Sequence, residues 1–186
     1  MTNYGAAELA ASTLIVRKNT IQIATEIPED KYSFAPVAGW RSVSDLLKHI
    51  AWSPMTYEDM HQVRRVTTLK GYDFSAIFAK RLEKERQQLN KSQILSLLQN
   101  EGDRVAKWLG SLDAAWLNET FTDVQAQNPK TRFENMLAIK EHEMHHRGQL
   151  MLIQRMIGLV PHLTREREER ARQRAAAAAA AVAGKH

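Results

Sequence analysis

The stretch Glu141-His142-Glu143-Met144-His145-His146-Arg147-Gly148-Gln149 concentrates imidazoles in a way that could do chemistry. On an α-helix, residues four apart differ by about 40° in direction and about 6 Å in height. His142 and His146 therefore project nearly the same way, one turn apart, and can reach one ion together. Neutral imidazole nitrogen suits Zn, Ni, Fe and Cu. Asn135, Ala138, Ile139, Gln149, Ile153 and Met156 fall on the same stripe by the helical period. That stripe is mainly apolar and should face an interior. Two histidines there are costly unless they are hydrogen-bonded or metal-bound. Spacing alone leaves a hydrogen-bonded core pair as open as a metal pair.

His49 tips the balance. It shares a stripe with Leu46, Trp52, Ser53, Thr56 and Met60, while Lys48, Glu58 and Asp59 fall off that stripe. A third inward histidine on a separate helix completes a three-histidine set, and bundle cores build metal sites from facing helices in this way. His145 points about 60° to the other side of His142. It reads as a group supporting the ligands, as an interface residue, or as simply exposed. His61 lies about 120° from the His49 direction and is expected to be exposed. His162 and His186 sit in or near the C-terminal tail and carry little signal.

A competing motif overlaps the histidine pair. His142-Glu143-Met144-His145-His146 matches H-E-x-x-H, the zinc-protease helix in which Glu is the general base. Lys140 and Glu141 precede it, where those enzymes usually carry apolar residues. Gly148 comes one residue too early for the extended metzincin pattern. No strand is available to align a peptide by β-addition. A metallopeptidase is therefore the lesser alternative, and Glu143 reads as a solvated acid or as support for a ligand.

The elements that must position these residues are nearly all helical. The first runs from about Ala6 to Ile27, with Leu9, Leu14, Ile21 and Ile23 as its apolar positions and Pro28 as its stop. After a loop with Pro36 and Gly39, Ser42 or Ser44 caps a second segment reaching about Val66, kinked at Pro54. A short polar helix, about Ser75 to Leu89, follows. Its Lys80-Arg81-Leu82-Glu83-Lys84-Glu85-Arg86 run reads as a solvated face. A third long segment spans about Ser92 to Leu112. An irregular connection from Asp113 to Lys130 leads to the fourth, about Thr131 to Met156, stopped by Gly158 and Pro161. Four long amphipathic segments predict an all-α four-helix bundle over residues 1–161. No segment shows a convincing strand pattern. Residues 162–186 are charged, then alanine-rich, and read as an exposed or frayed helix outside the core.

The bulk properties exclude several classes. The chain has 186 residues, 44% hydrophobic and 25% charged, which is ordinary globular usage for one domain. No apolar run is long enough to span a membrane. Met1 to Ala11 lacks the pattern of a signal peptide, so a cytoplasmic location is the default expectation. With no cysteine, disulfides, thiolate nucleophiles and thiolate zinc sites are excluded. The formal charge of +5 comes from bases scattered among acids, with no aromatic-and-basic platform. Nucleic-acid binding is therefore not expected.

Two blocks carry a family resemblance. Trp40-Arg41-Ser42-Val43-Ser44-Asp45-Leu46-Leu47-Lys48-His49-Ile50 and the stretch His142 to Gln149 resemble the two signatures of the DinB-like superfamily. Met156-Ile157-Gly158-Leu159-Val160-Pro161 adds to it, and the resemblance covers about Ala6 to Pro161. It implies an up-down-down-up four-helix bundle, often a homodimer. It maps the family's metal ligands onto His49, His142 and His146. The superfamily includes damage-inducible proteins of unknown activity and enzymes that use low-molecular-weight thiols, namely bacillithiol S-transferases and a mycothiol-dependent maleylpyruvate isomerase.

These expectations join in one reading: a DinB-like protein holding one divalent transition metal (Zn, Ni or Fe), with thiol-dependent S-transferase or hydrolase-type chemistry at an open position. Three protein ligands leave such a position. A small thiol would have to arrive from outside, since the chain has no cysteine, and an electrophilic small molecule would be its substrate. Gln149, one turn beyond His146, could orient a bound ligand or hold a water. Asp45, one turn before His49, could fix that imidazole, or be an ordinary helix-start acid. The alternatives are a non-catalytic metal-binding stress-response protein and a metal-free scaffold.

Overall fold

A computed structural model of the chain describes residues 4–183. The helices are α1 (Ala6–Glu26), α2 (Val43–Trp52), α3 (Met55–Glu58), α4 (Phe74–Glu85), α5 (Lys91–Gly110), α6 (Ala114–Asn118), α7 (Arg132–Met156) and α8 (His162–Ala183). One π-helical turn, Asp59–Val63, continues α3. Two short strands, β1 (Thr120–Phe121) and β2 (Lys130–Thr131), pair antiparallel beside α6. At two residues each they are too short to carry an alternating pattern, so the sequence gives no strand signal there. The expected kink at Pro54 is present, separating α2 from α3. None of the described helices is long and apolar enough to cross a membrane.

Two core clusters fix the topology. At one end, Ile23, Leu47, Ile50, Ile94, Leu98, Leu150 and Ile153 pack together. At the other, Leu9, Val105, Leu109, Met136 and Ile139 do so. α1 thus begins at the second cluster and ends at the first, and α7 runs the same way. α5 begins at the first cluster and ends at the second. α2 starts in the first cluster, and its continuation carries Met60 and His61 toward the other end. The chain is an up-down-down-up four-helix bundle built on α1, α2, α5 and α7.

Because α2 and α5 run in parallel, their connection must travel back along the bundle. α4 is that return path, packed along α2 and α3. Lys48 pins its far end by donating to the Gln87 carbonyl at 3.1 Å, and the Lys84 ammonium lies 4.3 Å above the Trp52 ring.

Polar residues enter this core in satisfied form. Leu14, expected inside, is 39% exposed, whereas Thr13 and Thr20 are buried. Their hydroxyls bond back to the Leu9 and Val16 carbonyls, which lets a polar residue occupy an apolar face. Arg17 is 3% exposed at the centre of the bundle. Its guanidinium donates to both oxygens of Glu143 on α7, at 2.9 and 3.0 Å. It also donates to the Leu98 carbonyl on α5 at 2.7 Å and approaches the Ile50 carbonyl on α2 at 3.5 Å. One side chain of α1 therefore touches the other three bundle helices.

Near the second cluster, His61 is fully buried rather than exposed as expected. The Pro54 break and the π turn cause the difference, since a π turn spaces its hydrogen bonds at i→i+5 and rotates a residue away from its α-helical direction. Arg132 donates to His61 Nδ1 at 2.7 Å, and His61 Nε2–H donates to Asn135 Oδ1 at 2.6 Å. Both contacts hold the ring neutral. Burial lowers its pKa to about 4, with the Arg132 charge adding to that and the Asn135 bond opposing it.

Two outcomes are expected. A Cβ on Gly102 would sit 2.7 Å from Arg17 Cγ, which the clamp holds in place. Gly102→Ala in a helix interior would ordinarily gain about 0.5–1 kcal/mol. Here it should instead lower Tm, by a net loss of about 1 kcal/mol or more from overpacking; a Tm equal to or above the parent's would show that Arg17 can move aside. Second, His61 prefers its neutral form in the fold, so the unfolded chain takes up the extra proton between pH 6.5 and about 4. Its stabilisation is present above pH 6.5 and falls as pH drops through that window, by about 3 kcal/mol in all. By denaturant unfolding, the stability lost between pH 7 and pH 4.5 should be smaller in His61→Gln than in the parent by about 2 kcal/mol; an unchanged difference refutes the assignment.

Candidate metal centre

The structure brings His49, His142 and His146 together. Each offers one ring nitrogen, and the three atoms lie within 4.8 Å of one another. His49 Nε2 and His146 Nε2 are each 3.2 Å from His142 Nε2. A tetrahedral site with bonds of 2.0–2.1 Å has nitrogen–nitrogen edges of about 3.3–3.4 Å. The two separations from His142 are close to those edges.

The outer nitrogens decide what the inner ones present. His49 Nδ1 lies 2.9 Å from Glu85 Oε1, and a carboxylate accepts there, so Nδ1 carries the proton. His146 Nδ1 likewise donates to Gln149 Oε1 at 2.9 Å. Neutral rings so oriented turn the Nε2 lone pairs of His49 and His146 toward His142. A proton on His142 Nε2 can serve one of these contacts and not both, and its buried Nδ1 has no hydrogen-bond partner. A cation held by three Nε2 lone pairs satisfies all three inner nitrogens and leaves only the His142 Nδ1–H without a partner, so the residues present fit a divalent transition metal.

The electrostatics favour uncharged rings. The His142 pKa falls to about 3, chiefly through burial and then through the neighbouring His146 and His49. His146 is also lowered, by burial first, against the Gln149 hydrogen bond. Burial would raise the Glu85 pKa, but His49, Arg81 and Arg41 together hold it below the usual carboxylate value. Arg81 Nε is 3.1 Å from the same Glu85 oxygen that holds His49.

Several expectations change here. Of the two readings of Asp45, the helix-start acid is the one found: it accepts from Ser42 and pairs with Lys48 at the start of α2. Glu85, expected on a solvated face, is buried and takes that place. Glu143 is not solvated, and its side chain bonds Arg17 rather than a histidine. It is 2% exposed and committed to Arg17, so it is not placed as the general base of an H-E-x-x-H peptidase. His145 is exposed but accepts from Gln149 Nε2 at 3.1 Å, which ties it to His146 through one amide. His162 is buried against α1, where Nε2 lies 3.4 Å from Asn19 Oδ1. His186 lies outside the described residues.

Fold and site together define a four-helix-bundle protein with a three-histidine cluster. Residues 13–150 match the model of the DinB superfamily, and the chain belongs to that superfamily. Among solved structures it is similar to a DinB-like protein, YjoA, from Bacillus subtilis, with 20% identity, TM-score 0.59 and coverage of 81% of this chain and 92% of that one. It is also similar to YfiT from Bacillus subtilis, described as a probable metal-dependent hydrolase with an unusual four-helix bundle topology. That likeness has 17% identity, TM-score 0.63 and coverage of 86% and 91%. At these identities the two structures bear on the fold. No curated protein matches the chain.

In metal-free protein, His142 should stay neutral down to about pH 4, because burial holds its pKa to about 3. His49 and His146 should carry their protons on Nδ1 near pH 8. Nitrogen-15 NMR of the imidazoles reads both properties. A His142 that titrates near 6.5, or an Nε2–H tautomer on His146, would contradict the geometry.

Proposed function

We propose that this chain binds one divalent transition-metal ion through His49, His142 and His146 and uses it as a polar catalyst on a small molecule. The convergence of three imidazole nitrogens within 4.8 Å of one another carries this reading. Membership of the DinB superfamily supports it, as does the description of YfiT as a probable metal-dependent hydrolase. Three protein ligands leave a position open for water or for an incoming small thiol. When bound, the ion supplies Lewis acidity that brings a coordinated water or thiol toward ionisation at neutral pH.

The chain's own residues have distinct tasks. Glu85 and Gln149 fix the tautomers of His49 and His146, so that neither ring must reorganise to bind. Arg81 shares the Glu85 oxygen that holds His49 and adds to the lowering of that carboxyl that His49 begins. His145 stands exposed behind Gln149 and accepts from its amide. Hydrolysis is the first reaction class to test. Thiol transfer is the second, and the lack of cysteine requires that the thiol be brought in.

Protein purified without a metal column should contain about one equivalent of Zn, Ni or Fe by elemental analysis, or take one up on loading. His146→Ala should remove most of it, together with any hydrolytic or thiol-dependent rate. Glu85→Gln should keep the fold and weaken metal affinity about 10–100-fold, as loss of a carboxylate behind a ligating histidine commonly does. A loaded parent with no bound ion would sink the proposal.

A further inference from the structure

A cavity of about 730 Å³ opens on His146 and Gln149. That volume lies in the range of small-molecule sites, about 300–1,000 Å³. One wall is the segment before α2, with Val37 and Trp40. The other is the last two turns of α7, with Leu152 and Met156. These four side chains are 51–57% exposed. Single exposed apolar residues need no explanation, but several around one cavity mark a binding surface.

The backbone beneath the Trp40 wall is a defined turn. Trp40 N–H donates to the Val37 carbonyl at 3.2 Å, closing a tight turn. Gly39 has φ +82 in that turn, a left-handed conformation that glycine adopts without strain. One charge stands in this apolar setting. Arg41 lines the cavity, and among the described residues no carboxylate lies within ion-pair distance of it. It lines this cavity together with His146 and an adjoining one together with Glu85, which places it at the end nearest the centre.

We propose that this cavity binds a small-molecule carboxylate with an apolar body, its acid group on Arg41 and its hydrocarbon between Trp40 and the Leu152–Met156 wall. A single guanidinium pairs a carboxylate through two parallel hydrogen bonds. The apolar walls favour an unbranched or aromatic body over a sugar or peptide. Taking this ligand as the substrate rests on the metal reading above; its binding does not.

The test titrates full-length protein with octanoate, octanol, octylamine and octyl phosphate, in metal-free and metal-loaded forms. Trp40 is a built-in fluorescence reporter, and Trp40→Phe shows which part of the signal is its own. Octanoate should bind about tenfold more tightly than octanol or octylamine. Arg41→Gln should erase that preference and leave octanol unchanged. Leu152→Arg, on the exposed rim, should weaken every apolar ligand. Equal binding of octanoate and octanol, preference for octyl phosphate, or no binding at all would overturn the proposal. So would a dimer that seals the rim and is split by Leu152→Arg. Metal content is measured separately. Octanoate binding by a chain that never holds metal leaves the cavity assignment standing and removes the catalytic one; metal binding without octanoate binding does the reverse.

Discussion

A single buried guanidinium sets the register of this bundle. Arg17 cannot leave the interior without abandoning Glu143, and Glu143 cannot be left alone there, since an unpaired buried charge costs about 3–5 kcal/mol. The pair therefore fixes α1 against α7, and the carbonyl contacts of Arg17 fix α5 and α2 around it. Ile50 follows His49, and Glu143 follows His142, so the clamp lies one residue from two of the three histidines. Packing of Leu and Ile supplies most of the cohesion, but it tolerates sliding. The charged contact does not.

The same logic recurs along α7. Its buried stripe is interrupted by polar groups, each answered from another element. Arg132 meets His61 from the π turn, Glu143 meets Arg17 from α1, His142 meets His49 from α2, and Gln154 donates to Glu26 from α1. An apolar stripe alone would admit shifts by one helical turn. Paired polar groups at several heights penalise each shift by leaving buried groups unsatisfied. The three histidines are one level of this ladder, and their convergence is a product of the whole alignment.

How much was legible in the sequence follows from how local each feature is. His142 and His146 share a face by helical geometry alone, and His49 sits on an uncharged stripe, so their meeting could be anticipated. The four-helix architecture could be read from the amphipathic segments, whereas the up-down-down-up order came from the family resemblance. Glu85 could not be foreseen, because its helix has the pattern of a solvated element. Only the return of the chain between parallel α2 and α5 brings it to His49. Glu143 looked solvated because its partner lies far away in sequence. His61 was misplaced because extrapolating α-helical angles through Pro54 and a π turn fails. Gln149 was within sight as a neighbour of His146 on the next turn, although its contact is with the ring nitrogen.

The return helix has a consequence for adaptability. The three imidazoles stand on helices whose lengths and spacing the core dictates. The carboxylate behind His49 stands on a crossover held to the outside of the bundle, most of whose positions are exposed and can change without disturbing the interior. Drift in that one peripheral segment can retune the basicity of an interior ring, so relatives with the same three histidines can diverge in reactivity without rebuilding the scaffold.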